Sequence, residues 1–160
     1  MSVTLANILL GACTVSLDDT DVGATRGPVT VAREAEYLRV MCEQFTGCPK
    51  VHLVTEGYTI SFTMLELTLA NIQMGFLGES DYTSGALTIG GDDTPAEIEI
   101  DVYGTNPAGF ARTINWPAAV FIEPGEITMG KEDVHNLPCK ALALADESTM
   151  QFGTITDATE

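Results

Sequence analysis

The stretch Tyr58 to Met64, YTISFTM, alternates without a fault. Tyr58, Ile60, Phe62 and Met64 fall on one side, and Thr59, Ser61 and Thr63 on the other. Only an extended chain with one face buried produces this period, because successive side chains of a strand point to opposite faces. Pro95 to Gly104, PAEIEIDVYG, repeats the pattern, with Ile98, Ile100 and Val102 against Glu97, Glu99 and Asp101. VTVAREAEYLRVM predicts strands around Val29 to Val31 and Ala35 to Met41. KVHLVTEG predicts another that turns at Glu56-Gly57. Hairpins are expected over 84–104, turning at Gly90-Gly91-Asp92-Asp93, and over 116–130, turning at Pro124-Gly125. LPCKALALAD and MQFGTIT supply a last pair. The pattern predicts a mainly β, antiparallel fold with one wet side.

One segment breaks the period. From Met64 to Gly78, Leu65, Leu69, Ile72 and Phe76 recur at helical spacing, with Gly78 as the stop. The expected helix covers about 64–77. A second apolar line, Leu67, Ala70, Met74 and Leu77, lies nearly opposite the first at 100° per residue. A helix lying on a lone domain needs only one stripe. These four residues are therefore candidate subunit contacts, against the plainer reading of an inserted, deeply buried helix.

The 160 residues fit a single domain, 1–160, with a proper core. Leu17 to Val31, LDDTDVGATRGPVTV, is the longest polar connection of the first half and is expected as an extended loop. The end, about 156–160, is expected as a loose tail. Seven Lys and Arg face 23 Asp and Glu, for a formal charge of −16. That excludes the phosphate-contact chemistry of nucleic-acid binders and disfavours anionic membrane surfaces. LLGAC, ending at Cys13, imitates a lipoprotein cleavage site, but no Lys or Arg precedes Arg26 and Asn7 interrupts the apolar run. Cys13, Cys42, Cys48 and Cys139 form no C-x-x-C pair, which fits a reducing site of synthesis.

The three carboxylates Glu97, Glu99 and Asp101 invite a chemical reading. Residues two apart on a strand sit about 6.6 Å apart, within the range of paired-carboxylate glycosidases. A catalytic pair needs a supporting constellation, and none is visible, so the row is expected to point to water. DDTDVG and GGDDT are acidic glycine loops whose spacing does not match an EF-hand. Cys42, Cys48 and His52, with His135 and Cys139, are zinc-type ligands, but the gap from Cys42 to Cys48 exceeds the usual knuckle. There is no nucleophile elbow and no phosphate-binding glycine loop, and Trp116 is a lone aromatic read as lying at a strand edge. No catalytic residue, cofactor or metal is expected.

The order of elements resembles the major tail tube proteins of long-tailed bacteriophages. The resemblance rests on the strand running into one helix, YTISFTMLELTLANIQMGFLG, and on the close HNLPCKALALADESTMQFGTITD. It covers about Ile8 to Asp157 through patterns, not chemical signatures. It implies a β-sandwich with one flanking α-helix, in subunits that form hexameric rings stacked into a tube around a tape-measure protein. Tail terminator and distal tail proteins are the implied partners, and DNA passes through the bore unbound. The long early loop would reach the neighbouring ring, and Glu97, Glu99 and Asp101 become candidates for facing the lumen. Two alternatives stay open: a β-sandwich enzyme or carbohydrate-binding domain using those carboxylates, and the related tube of a contractile secretion system.

Overall fold

The computed structural model describes residues 13–41, 50–78, 85–87, 89, 95–123, 125–127 and 134–158. The fold is mainly β, as the alternation predicts. Among the described residues eight strands run in chain order: β1 (Thr14–Leu17), β2 (Thr20–Asp21), β3 (Thr30–Val40), β4 (Lys50–Met64), β5 (Ile98–Thr105), β6 (Ala111–Glu123), β7 (Leu137–Ala143) and β8 (Thr154–Asp157). All pairings are antiparallel, in the order β2-β1-β5-β6-β7-β4-β3, with β8 on β6. The strands thus form one hydrogen-bonded sheet whose inner side chains gather into a single core.

Register explains that core. Val15 and Leu17 of β1 lie opposite Val102 and Ile100 of β5, and Ile100 lies opposite Trp116 of β6. Phe121 meets Ala141 of β7, and Cys139 and Leu137 meet Phe62 and Met64 of β4. All are buried. Fully burying a Leu, Ile or Val side chain is worth roughly 1.5–3 kcal/mol, so the inner alternation stabilises the fold more than any polar contact. Trp116 belongs to this core and not to a strand edge. Pro117 is tolerated beside it because β6 bulges there: Ile98 pairs with Ala119 but Ile100 with Trp116, leaving two residues against one.

Several expectations are corrected. No turn forms at Glu56-Gly57; Gly57 pairs with Glu34, and β4 runs straight through it. Leu17 to Val31 is not an extended loop. Asp18 and Asp19 adopt positive φ and close a tight turn between β1 and β2. The chain then returns beside β4, with Thr25 bridged to Met64, Leu65 N–H donating to Ala24 O and Ala24 N–H donating to Glu66 Oε1. The tail is not loose as far as it is described: Thr156 and Asp157 belong to β8, and Arg112 grips Asp157 through two bonds of 2.6 and 2.8 Å. Of the first hairpin, residues 85–87 and 89 lie in no strand and its turn lies outside the described residues. Pro124 of the second lies outside them too.

The helix is shorter than predicted. Residues 65–68 are held extended by their bonds to the returning chain. Helix α1 (Leu69–Ile72) starts where Thr68 caps it, Oγ1 accepting from Asn71 N–H at 3.2 Å. It continues as a π-turn, Gln73–Leu77, ended by Gly78 in the left-handed region with its N–H bonded to Gln73 O. Gly75 seats the π-turn on the sheet: a Cβ there would overlap Met64 Cε and crowd Cys139 Sγ. Both neighbours are buried and have little room to yield. Gly75→Ala should therefore cost about 1–3 kcal/mol by overpacking, read as a lowered denaturation midpoint. An unchanged midpoint would show that the helix is not closely seated.

Candidate functional site

Beyond the core, β3 and β4 continue as a two-stranded ribbon. Among the described residues, β7 engages β4 only from Thr59 to Met64, while β3 follows it out to Lys50. The ribbon's end carries large apolar side chains in water: Tyr37 (50% exposed), Leu38 (59%), Met41 (67%), Val51 (53%), Leu53 and Val54. A bulge lies between Glu36 and Tyr37, where β4 inserts Val54. Beyond it Tyr37 faces Leu53 and Arg39 faces Val51 on the side that continues the core face. Leu38 and Val40 lie on the other side with His52 and Lys50. Both faces are therefore partly apolar, and exposed apolar patches of this kind mark interaction surfaces.

The ribbon's root is fixed. Glu56 Oε1 accepts from Arg33 Nε at 2.6 Å and from the Tyr58 hydroxyl at 2.8 Å. The Tyr58 hydroxyl and the Arg33 guanidinium hold the Glu56 carboxyl below its ordinary range. The Tyr58 ring packs on Phe152 with centroids 5.1 Å apart. Phe152 follows a turn built on Asp146, whose Oδ1 accepts from Ser148 and Thr149 through backbone and hydroxyl donors at 2.5–3.0 Å. Val31, Ile114, Trp116 and Phe152 line a cavity of about 380 Å³ at this root.

The sequence candidates take other places. The carboxylate row does not simply face water. Glu97 is exposed and precedes β5, Glu99 is half-buried, and Asp101 is buried at 7% exposure. The reason lies on β6: Asn115, opposite Asp101, donates from Nδ2 to Glu99 Oε1 at 2.6 Å and to Asp101 Oδ1 at 2.9 Å. The Tyr103 hydroxyl adds a donor to Asp101 at 3.3 Å. An amide bridging two carboxylates offsets their repulsion and leaves no open pair for acid–base work. Among the helix candidates, Met74 is taken up by this chain's own core, while Leu67, Ala70 and Leu77 are half-buried.

The zinc-type residues do not converge among the described residues. Cys139 pairs with Phe62, ten positions along β4 from His52, or roughly 30 Å at strand rise. Burial pushes the Cys139 thiol up to about 12. Cys42 and Cys48 lie outside the described residues. What the sequence reading missed is the ribbon. The signal was there: Tyr37-Leu38, Val40-Met41 and Leu53-Val54 set apolar residues side by side, which a strand with one dry face does not do.

No protein-family model and no curated protein matches the chain. The fold is similar to a chain in the cryo-EM structure of an extracellular contractile injection system, the PVC sheath–tube complex in its extended state. The TM-score is 0.53 with 12% identity, over 96% of each chain. At that identity the likeness speaks for the fold.

Two measurements test this geometry. Replacing Asn115 by Ala should cost about 1–3 kcal/mol by stranding two carboxylates. Asn115→Asp should cost more, since it adds a third; equal urea midpoints for both variants and the parent would refute the bridge. The second is pH. Hydrogen bonds from Ser148 and Thr149 lower the Asp146 carboxyl to about 2. The folded value is depressed, so the turn's stabilisation is complete above the ordinary carboxylate range and is lost as pH falls through about 2. The Ser148 and Thr149 amide resonances should titrate with that midpoint and cease to do so in Asp146→Asn.

Proposed function

We propose that this chain is a structural tube subunit whose copies join into hexameric rings that stack into a hollow tube. The observation that carries the reading is the fold likeness over nearly the full length of both chains, to a chain of a sheath–tube complex. The exposed ribbon supports it, because a lone monomer leaves that surface in water. Ring formation also removes open sheet edges, which are otherwise an aggregation hazard.

The charge of −16 suits a wall that polyanions pass without sticking. We place Glu97, Glu99 and Asp101 on the lumen side of such a wall, and Leu67, Ala70 and Leu77 toward neighbouring subunits. The reading includes a tail tube of a long-tailed phage, with a tape-measure protein inside, terminator and distal tail proteins at the ends, and DNA in transit. A second reading, the tube of a contractile injection particle, is favoured by the fold likeness to a chain of a contractile injection system. Both place the subunit in an extracellular or virion-like tail.

Negative-stain electron microscopy of the concentrated full chain should show rings or tubes with a central bore. A protein that stays monomeric at every concentration, with tail partners added, would refute the reading.

A further inference from the structure

Register lines up one polar row across the β2-β1-β5 end of the sheet. Ser16 of β1 lies opposite Asp21 of β2 on one side and Asp101 of β5 on the other. Val15 and Leu17, before and after Ser16, are in the core, so Ser16 and its two partners share the outer face. Ser16 is only 6% exposed, and its hydroxyl oxygen meets no hydrogen-bond partner. A buried hydroxyl in that state is costly. The carboxylates on either side of it have acceptor capacity to spare. Buried Asp101 takes one bond from Asn115 on Oδ1 and a longer one, 3.3 Å, from the Tyr103 hydroxyl on Oδ2. Asp21 takes one, from Gly23 N–H at 2.9 Å. An ionised carboxylate can accept about four. Negative charge gathers here as well. Asp18 and Asp19 close the turn before Asp21, and Asp18 Oδ1 accepts from the backbone N–H of Glu99 at 2.8 Å. Among the described residues the ion-paired cations Arg33, Arg112 and Lys140 hold Glu56, Asp157 and Glu123, and none of these five carboxylates.

We propose that Asp21, Ser16 and Asp101 form a site for a hard divalent cation, calcium or magnesium, seated over the Ser16 hydroxyl between the two carboxylates. Neighbouring strands lie about 4.8 Å apart, so the Cα atoms of Asp21 and Asp101 are separated by about 10 Å. Oxygens on opposite sides of a calcium ion stand about 5 Å apart. Each carboxylate therefore has to lean inward by about half a strand spacing, which rotation about the two χ angles of an aspartate supplies. Ser16 offers a lone pair and turns its proton away. Water completes the shell on the side of exposed Asp21, as is usual where one or two carboxylates bind magnesium. No three Asp, Glu, His or Cys side chains of the described residues come together to hold a metal, so two carboxylates, one hydroxyl and water are the whole set. The ion ties β2, β1 and β5 together. Its ligands come from three strands, so no spacing motif in the sequence announces them. The inference goes beyond the tube reading and does not depend on it.

The test uses the full chain freed of divalent ions, at an ionic strength that screens diffuse binding to a charge of −16. Terbium(III) is the probe, its luminescence excited through tyrosine, since Tyr103 is bonded to Asp101. Terbium should bind at a single class of site and be displaced by CaCl2 or MgCl2; the salt that acts at the lower concentration names the ion. Asp21→Asn and Asp101→Asn keep an acceptor for Gly23 and for Asn115 but lose the charge. Each should weaken terbium binding roughly tenfold or more. Ser16→Ala should weaken it too, while its metal-free melting temperature equals or exceeds the parent's, because a buried unpaired hydroxyl is gone. Glu147→Gln, at an exposed position elsewhere, removes the same charge and should change nothing. An equal loss in Glu147→Gln shows a diffuse counterion atmosphere only and overturns the proposal. So does unchanged binding in Asp21→Asn, whose exposed position keeps the variant folded, or terbium that neither salt displaces.

Discussion

Strand β4 has to satisfy two environments at once. At its C-terminal end Ile60, Phe62 and Met64 are buried and sealed by β7 on one side and the returning chain on the other. At its N-terminal end, from Lys50 to Thr55, every residue is exposed. The buried half anchors the exposed half, so the ribbon is held at a fixed place on a rigid body. The root contacts of Glu56, Arg33, Tyr58 and Phe152 mark where the change occurs. Exposed ion pairs such as Arg33–Glu56 add little to stability, because solvent screens them. Their contribution here is orientation, with the core supplying the stability.

The same division separates what the sequence revealed from what it hid. Ile98, Ile100 and Val102 were legible as core because alternation against one buried face is a direct consequence of strand geometry. Gly78 was legible as a helix stop because its left-handed conformation suits glycine. The start of the helix was not legible. Residues 65–68 have helical periodicity, but the bonds from Leu65 to Ala24 and from Ala24 to Glu66 come from a segment some forty residues earlier. Long-range pairing overrode local spacing. The π-turn then shifted the two apolar lines, since i→i+5 bonding does not advance the side chains by the α-helical angle.

The carboxylate row shows how far pattern reading reaches. Alternation separated Glu99 and Asp101 from the core, and the structure agrees. What alternation could not supply was the partner strand's contribution. Asn115 lies 14 residues beyond Asp101, and only the register of β5 on β6 brings its amide between the two carboxylates. A row that reads as a wet surface in one strand is, across two, a closed polar bridge. The outer face of this sheet is therefore structured in its own right, with the cross-strand pair Lys140–Glu123 linking β7 to β6 there, while Arg112–Asp157 links β8 to β6 from the opposite side.

The bulge at Val54 has a consequence of parity. Unbulged pairing would set Val54 opposite Tyr37 and carry Leu53 and Val51 to the side of Leu38 and Val40. With the bulge, Leu53 and Val51 share the side of Tyr37 while Leu38 and Val40 hold the other, so one inserted residue divides the aliphatic surface between the two faces of the ribbon.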